Sequence, residues 1–303
     1  MSGGTAGLSP TAAVAAGLGE VVDRLSRSSR STYQNPYEAL DWPDALDPEA
    51  AWFTSPELSS LAGTAWWDGL DEPGRRRLSF WEAVNFFSLN IHGERVLMEG
   101  LAQRLYRPDL ADVAPYLHHF LDEENKHSVY FGGFCRRYAR VYPDRKLAFG
   151  TAAAAPGEDD LLFFARVLVF EEIVDRYNVA QGRDERLHPL ARFINRNHHA
   201  EETRHLAFGR QLVAGLWDAW RPRWDDGVVA GIRDHLAAFT RMSWREYYNP
   251  HVYRDAGFDD PWAVADEAWS HPAQRAHRRA VTARCRDFLR DHEILDEVPT
   301  DDD

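Results

Sequence analysis

Two short stretches of this chain repeat one pattern of side chains able to hold a metal ion. Leu121-Asp122-Glu123-Glu124-Asn125-Lys126-His127 and His199-Ala200-Glu201-Glu202-Thr203-Arg204-His205 both contain Glu-Glu-x-x-His. Glu and His three residues apart share a helix face, so a carboxylate oxygen and an imidazole nitrogen can reach the same ion. One such pair is weak: with 20 Glu and 13 His in 303 residues, chance supplies about one Glu-x-x-His. A third instance, Glu185-Arg186-Leu187-His188, runs straight into Pro189 between two predicted helices and is set aside as background. The other two gain weight from their surroundings. Glu124 lies among Leu117, Phe120, Leu121 and Phe131, and Glu202 shares its face with Ile194, His198, His205 and Leu212. A carboxylate in an apolar stripe is costly unless it is paired or bound to metal.

The helix before each pair supplies one more such carboxylate. Glu94 sits among Phe87, Ile91, Leu97, Met98 and Leu101, whereas Glu99 has Arg95 and Gln103 one turn away and reads as solvated. Glu171 sits among Phe164, Val167, Leu168 and Val174, whereas Glu172 lies on a mixed face. The spacings echo: 30 residues from Glu94 to Glu124 and 31 from Glu171 to Glu202. One Glu from each of two helices and Glu-x-x-His from each of two others is the ligand set of a ferritin-like dimetal bundle. His198, one turn before Glu202, is a possible extra nitrogen ligand. Carboxylate oxygen with some imidazole suits two Fe ions, with Mn possible.

Helices must hold these residues, and helical periodicity is what the chain shows. Apolar residues recur at helical spacing from Arg75 to about Leu105, and further helices are expected near 112–142, 159–181, 189–216, 225–248, 261–268 and 271–293. Asn249–Asp260 reads as a connecting loop and Gly150–Asp160 as a linker. Strand alternation does not recur. The fold class is therefore all-α, a ferritin-like helical bundle with additional flanking helices. Residues 1–30, rich in Ala, Gly and Ser, read as a flexible leader; residues 31–295 as a single helical domain, opening on a Pro-rich aromatic lead-in over 31–73; and 296–303 as an acidic tail.

Bulk properties exclude other classes. A net charge of −13 disfavours nucleic acid, which needs basic patches. No apolar run approaches ~18 residues, so no membrane span is expected. Two cysteines, Cys135 and Cys285, make neither a disulfide framework nor a thiolate site and fit a cytoplasmic setting. The 11 Trp suggest a large apolar interior or a flat-walled pocket.

The stretches Glu94-Arg95-Val96-Leu97-Met98-Glu99, Val167-Leu168-Val169-Phe170-Glu171 and His198-His199-Ala200-Glu201-Glu202-Thr203-Arg204-His205 resemble the AurF-type, para-aminobenzoate N-oxygenase-like family of non-haem diiron oxygenases. The resemblance covers roughly residues 75–215. It implies Glu94, Glu124, His127, Glu171, His198, Glu202 and His205 as ligands, with Glu124 and Glu202 bridging. The added His198 separates this family from ordinary ferritin-like proteins. The resemblance also implies a homodimer and a monooxygenase that oxidises a small-molecule amine, from aryl amine to hydroxylamine or nitro product. O2 is then the co-substrate, and electrons come from an external donor, since the chain shows no Gly-rich dinucleotide loop. Many such bundles carry an Asp before each Glu-x-x-His that orients a His; here Glu123 and Glu201 stand there, to orient a ligand from behind or as surface charges. Asp175 and Asn178 follow Glu171 on its helix and could line a pocket, or Asp175 could pair with an Arg such as Arg204. Two other activities remain open at this stage: C–H hydroxylation, desaturation or halogenation by the same metals, and iron storage.

Overall fold

The computed structural model describes residues 8–144 and 155–297. Eleven α-helices are formed among them, and the only extended pairing is an isolated bridge between Trp52 and Leu187. Four long helices make the centre: α4 (Glu72–Arg104), α5 (Ala114–Tyr138), α6 (Glu158–Arg183) and α7 (Pro189–Trp220). They pack as two hairpins, α4 on α5 and α6 on α7. The fold is all-α and ferritin-like. No helix among the described residues is long and apolar enough to cross a membrane.

Local chemistry sets where these helices begin. The Asp71 carboxylate accepts from Gly74 N at 2.8 Å, with Pro73 in the first turn of α4. His188 Nδ1 accepts from Leu190 N at 3.1 Å, with Pro189 opening α7. The discarded Glu185–His188 pair thus contains a helix cap, and His188 also stacks on Phe53 at 5.3 Å. Glu158, Asp159 and Asp160 fill the first turn of α6, where the helix dipole favours acid. Asp160 is buried and takes Arg104 Nε at 2.9 Å and Arg107 Nη2 at 2.7 Å, tying the end of α4 to the start of α6.

Between α4 and α6 the seam is close. A methyl group on Gly93 would stand 2.6 Å from the Phe170 ring, and one on Gly100 would overlap Phe163. These two glycine–phenylalanine contacts, seven residues apart on both helices, let the backbones approach. The first of them adjoins Glu94 and Glu171 in sequence.

Three expectations need correction. Residues 10–30, read as part of a flexible leader, lie in α1 (Pro10–Gly17) and α2 (Gly19–Ser31). Ser9 caps α1 through Ala12 N at 3.1 Å, and Val22 and Leu25 of α2 are buried as the pair packs on α5 and α7. The loop at Asn249–Asp260 contains α9 (Pro250–Ala256), because Pro250 opens a helix instead of breaking one and Asn249 caps it. The second bundle helix stops at Tyr138 rather than near Pro143. The stretch 150–154 of the expected linker and 298–303 of the expected tail lie outside the described residues. The short α3 (Ala65–Asp68) precedes the bundle, and α8 (Asp226–Tyr247), α10 (Pro261–Ser270) and α11 (Pro272–Asp291) flank it.

Candidate metal centre

Glu94 projects from α4, Glu124 and His127 from α5, Glu171 from α6, and His198, Glu202 and His205 from α7. All seven are buried, at 0–4% exposure. They fall into two groups within which one ligand atom per residue lies within 4.8 Å of the others: Glu94, His127 and His198, and Glu124, Glu171, Glu202 and His205. Two carboxylates face both groups. Glu202 Oε1 is 2.9 Å from His198 Nε2 and 3.5 Å from His127 Nδ1, while its Oε2 is 3.3 Å from His205 Nδ1. Glu124 Oε2 is 3.1 Å from His127 Nδ1 and its Oε1 is 2.8 Å from His205 Nδ1. Glu99 stays outside, exposed and paired with Arg95 at 3.2 Å.

The electrostatics of this cluster are those of a cation site. Burial pushes the Glu124 and Glu171 carboxyls well above the usual range, and neighbouring carboxylates push them further. Burial acts on Glu202 in the same direction, but the charges of His205 and His198 override it and hold the group well below that range. Glu124 Oε1, Glu171 Oε1, both Glu202 oxygens, His198 Nε2 and His205 Nδ1 are buried without hydrogen-bond partners among the described residues. Apart from the hydrogen bond between His127 Nδ1 and Glu124 Oε2, the short distances above are contacts between atoms aimed at common points, not aligned hydrogen bonds. Buried polar atoms are nearly always satisfied. Four carboxylates against two divalent cations also balance charge, where four bare buried carboxylates would not. The donor set therefore fits a pair of divalent ions.

Behind the cluster the two hairpins brace each other. Glu201 on α7 accepts from His127 Nε2 at 3.1 Å and from Lys126 Nζ at 2.5 Å. Glu123 on α5 accepts from His205 Nε2 at 2.9 Å and from Arg204 Nη2 at 2.6 Å. Each Glu thus grips the basic-His dipeptide of the opposite hairpin and turns the Nδ1 lone pair of that His inward. Both are buried carboxylates rather than surface charges. His205 and Arg204 outweigh burial and bring Glu123 down to about 2. Lys126 is not singled out from sequence and Arg204 is considered only as a partner for Asp175, although a basic residue stands just before the His in both repeats.

His198 is held differently. Its Nδ1 meets the Asn178 amide at 2.5 Å, and its Nε2 faces Glu94 and Glu202. Asn178 Oδ1 is otherwise unpaired; an amide turned to present that oxygen accepts from Nδ1–H and frees the Nε2 lone pair for an ion. Asp175 does not pair with Arg204. It accepts from His199 Nδ1 at 2.6 Å, bridging α6 and α7 beside the cluster rather than within it. Phe120 stacks on His205 at 3.9 Å and Phe131 meets His198 edge-on at 5.0 Å, so apolar rings close the site.

A sequence profile of the family described as P-aminobenzoate N-oxygenase AurF matches residues 17–293. Uncharacterized proteins of Mycobacterium bovis and of two strains of Mycobacterium tuberculosis are each 25% identical to the chain over 206 residues, covering 64% of it. The match spans 60% of the length of those relatives. The profile reaches beyond residues 75–215, taking in α2 and the flanking helices. The chain belongs to the AurF family of diiron enzymes.

Proposed function

We propose that this chain is a diiron oxygenase that oxidises the nitrogen of a small-molecule amine. The observation that carries the reading is the convergence of four carboxylates and three imidazoles, with inward atoms of Glu124, Glu171, Glu202, His198 and His205 left without a hydrogen-bond partner among the described residues. Glu94, His127 and His198 would hold one iron and Glu171 and His205 the other, with Glu124 and Glu202 spanning the two. Bound there, the irons supply the redox chemistry of O2 activation, with electrons from an external donor. The protein's own contribution is positional. Glu123 and Glu201 fix the tautomers of two histidines, Asn178 orients the third, and Phe120 and Phe131 exclude water. Oxidation at nitrogen is favoured by the family's description and by the third imidazole. We take residues 10–295 as the working unit, assembled as a homodimer.

The test is metal analysis followed by chemistry. Purified protein should hold about two irons per chain, the stoichiometry of a dimetal bundle; hundreds would mean storage. The reduced protein should then give an optical transient on O2 addition and transfer labelled oxygen to the nitrogen of an aryl amine. No label in any of a panel of amines, with label at carbon instead, would replace this reading by a C–H oxidation.

A further inference from the structure

Three turns before Glu94 on the same helix, one carboxylate oxygen has nothing to bind. Glu82 Oε1 accepts from Ser59 Oγ at 3.0 Å, Ser60 N at 2.8 Å and Ser60 Oγ at 2.6 Å. Its Oε2 is buried without a hydrogen-bond partner. Burial pushes this carboxyl up to about 7, opposed only by the two serines, with no cation acting on it. A buried, unpaired carboxylate oxygen calls for an explanation.

Glu82 lines a pocket together with Ser60, Phe86, Tyr177, Tyr247 and Tyr248. Phe86 stacks on Tyr177 at 5.6 Å, and Tyr177 lies 5.0 Å from Tyr247, so one wall is aromatic. Three of the hydroxyls are already committed. Ser60 donates to Glu82, Tyr248 donates to Gln274 at 2.9 Å, and Tyr177 pairs with His277 at 2.9 Å. What the pocket offers a ligand is a carboxyl poised between its charged and neutral forms, whose negative charge a bound cation would favour. The pocket's free volume is about 20 Å³, room for one water-sized group. Tyr247 keeps partial exposure and marks the mouth.

We infer that this pocket binds the primary ammonium group of a small-molecule ligand, with Glu82 as counter-ion and the aromatic rings as the cation-facing wall. The volume rejects trimethylammonium and guanidinium groups, and the Glu82 carboxylate repels carboxylate and phosphate. Twelve residues of helix separate Glu82 from Glu94, ~18 Å along α4. A ligand seated here touches the metals only if it is elongated. The inference needs no iron and stands apart from N-oxygenation.

The experiment titrates full-length, iron-loaded protein under argon with methylammonium chloride at constant ionic strength, read by calorimetry. Tetramethylammonium, potassium and methanol are the comparators. Methylammonium should bind saturably and at least about tenfold tighter than each of them. Glu82→Gln keeps an oxygen for the serines and removes the charge. It should weaken methylammonium about tenfold or more while iron content stays at the wild-type value. Equal binding of potassium, tetramethylammonium or methanol, absence of saturable binding, or an unaffected E82Q variant would each overturn the assignment. Should E82Q fail to fold, the wild-type series alone decides.

Discussion

The two hairpins of the bundle do the same job with different side chains. In α4 and α5 the set is Glu94, Glu124 and His127; in α6 and α7 it is Glu171, Glu202 and His205. One turn before the last Glu, the second hairpin carries His198 and the first carries Phe120. Seven residues after the first Glu, the second carries Asn178 and the first Leu101. His198 and Asn178 meet each other, whereas Phe120 and Leu101 both belong to the apolar core. A polar pair in one half replaces an apolar pair in the other. One metal position is thereby offered two imidazoles and the other only one. The duplicated part of the pattern builds a container for two ions, and the unduplicated part makes its two ends unequal.

Substituting residues between the halves tests this comparison. The largest effect is expected from His198→Phe, which gives the second hairpin the residue of the first. Iron affinity should fall by more than the ~100-fold upper range for residues that merely support a ligand. Iron titration with the optical spectrum checks it, and unchanged loading and spectrum would remove His198 from the ligand set. Next come Glu123→Gln and Glu201→Gln. If the braces are equivalent, each should lower iron affinity by ~10–100-fold, and by similar amounts. A large loss from one and none from the other would mean that the symmetry of the braces is only geometric. Gly93→Ala is expected to cost ~1–3 kcal/mol in urea unfolding, because the added methyl meets Phe170 and the seam must open. A neutral result would show that the α4–α6 approach is loose. Smallest, Phe120→Leu should cost ~1 kcal/mol through the lost stack on His205. Differential unfolding of wild type and variant resolves it; a variant as stable as wild type would mean that the ring contact contributes nothing.

Much of this was legible in the chain. A carboxylate in an apolar stripe is conspicuous, and the same offset appearing twice turned a chance pattern into a candidate ligand set, whose residues converge in the bundle. The helices holding it announced themselves by periodicity. What escaped has physical reasons. Lys126 and Arg204 look like surface charges in a helical repeat, since their partners lie 75 and 81 residues away and only the packing brings them together. The α1 stretch shows weak patterning, whereas α2 is amphipathic but short and is masked by the Ala- and Gly-rich start that precedes it. Pro250 reads as a breaker unless the Asn249 cap before it is weighed. The pocket at Glu82 depends on tyrosines from α6 and α8 arriving beside α4, which no local pattern records.

The reciprocal braces also say how this site can change over generations. Glu123 is answered by Arg204 and His205, and Glu201 by Lys126 and His127. Exchanging the names of the hairpins leaves that scheme intact, as rotation about a two-fold axis would. A hairpin carrying Glu-Glu-x-basic-His is thus complementary to a second copy of its own pattern. The two halves are thereby coupled: a charge lost from one brace leaves its counterpart on the other hairpin stranded, so a substitution at these positions is best compensated by a second one across the bundle.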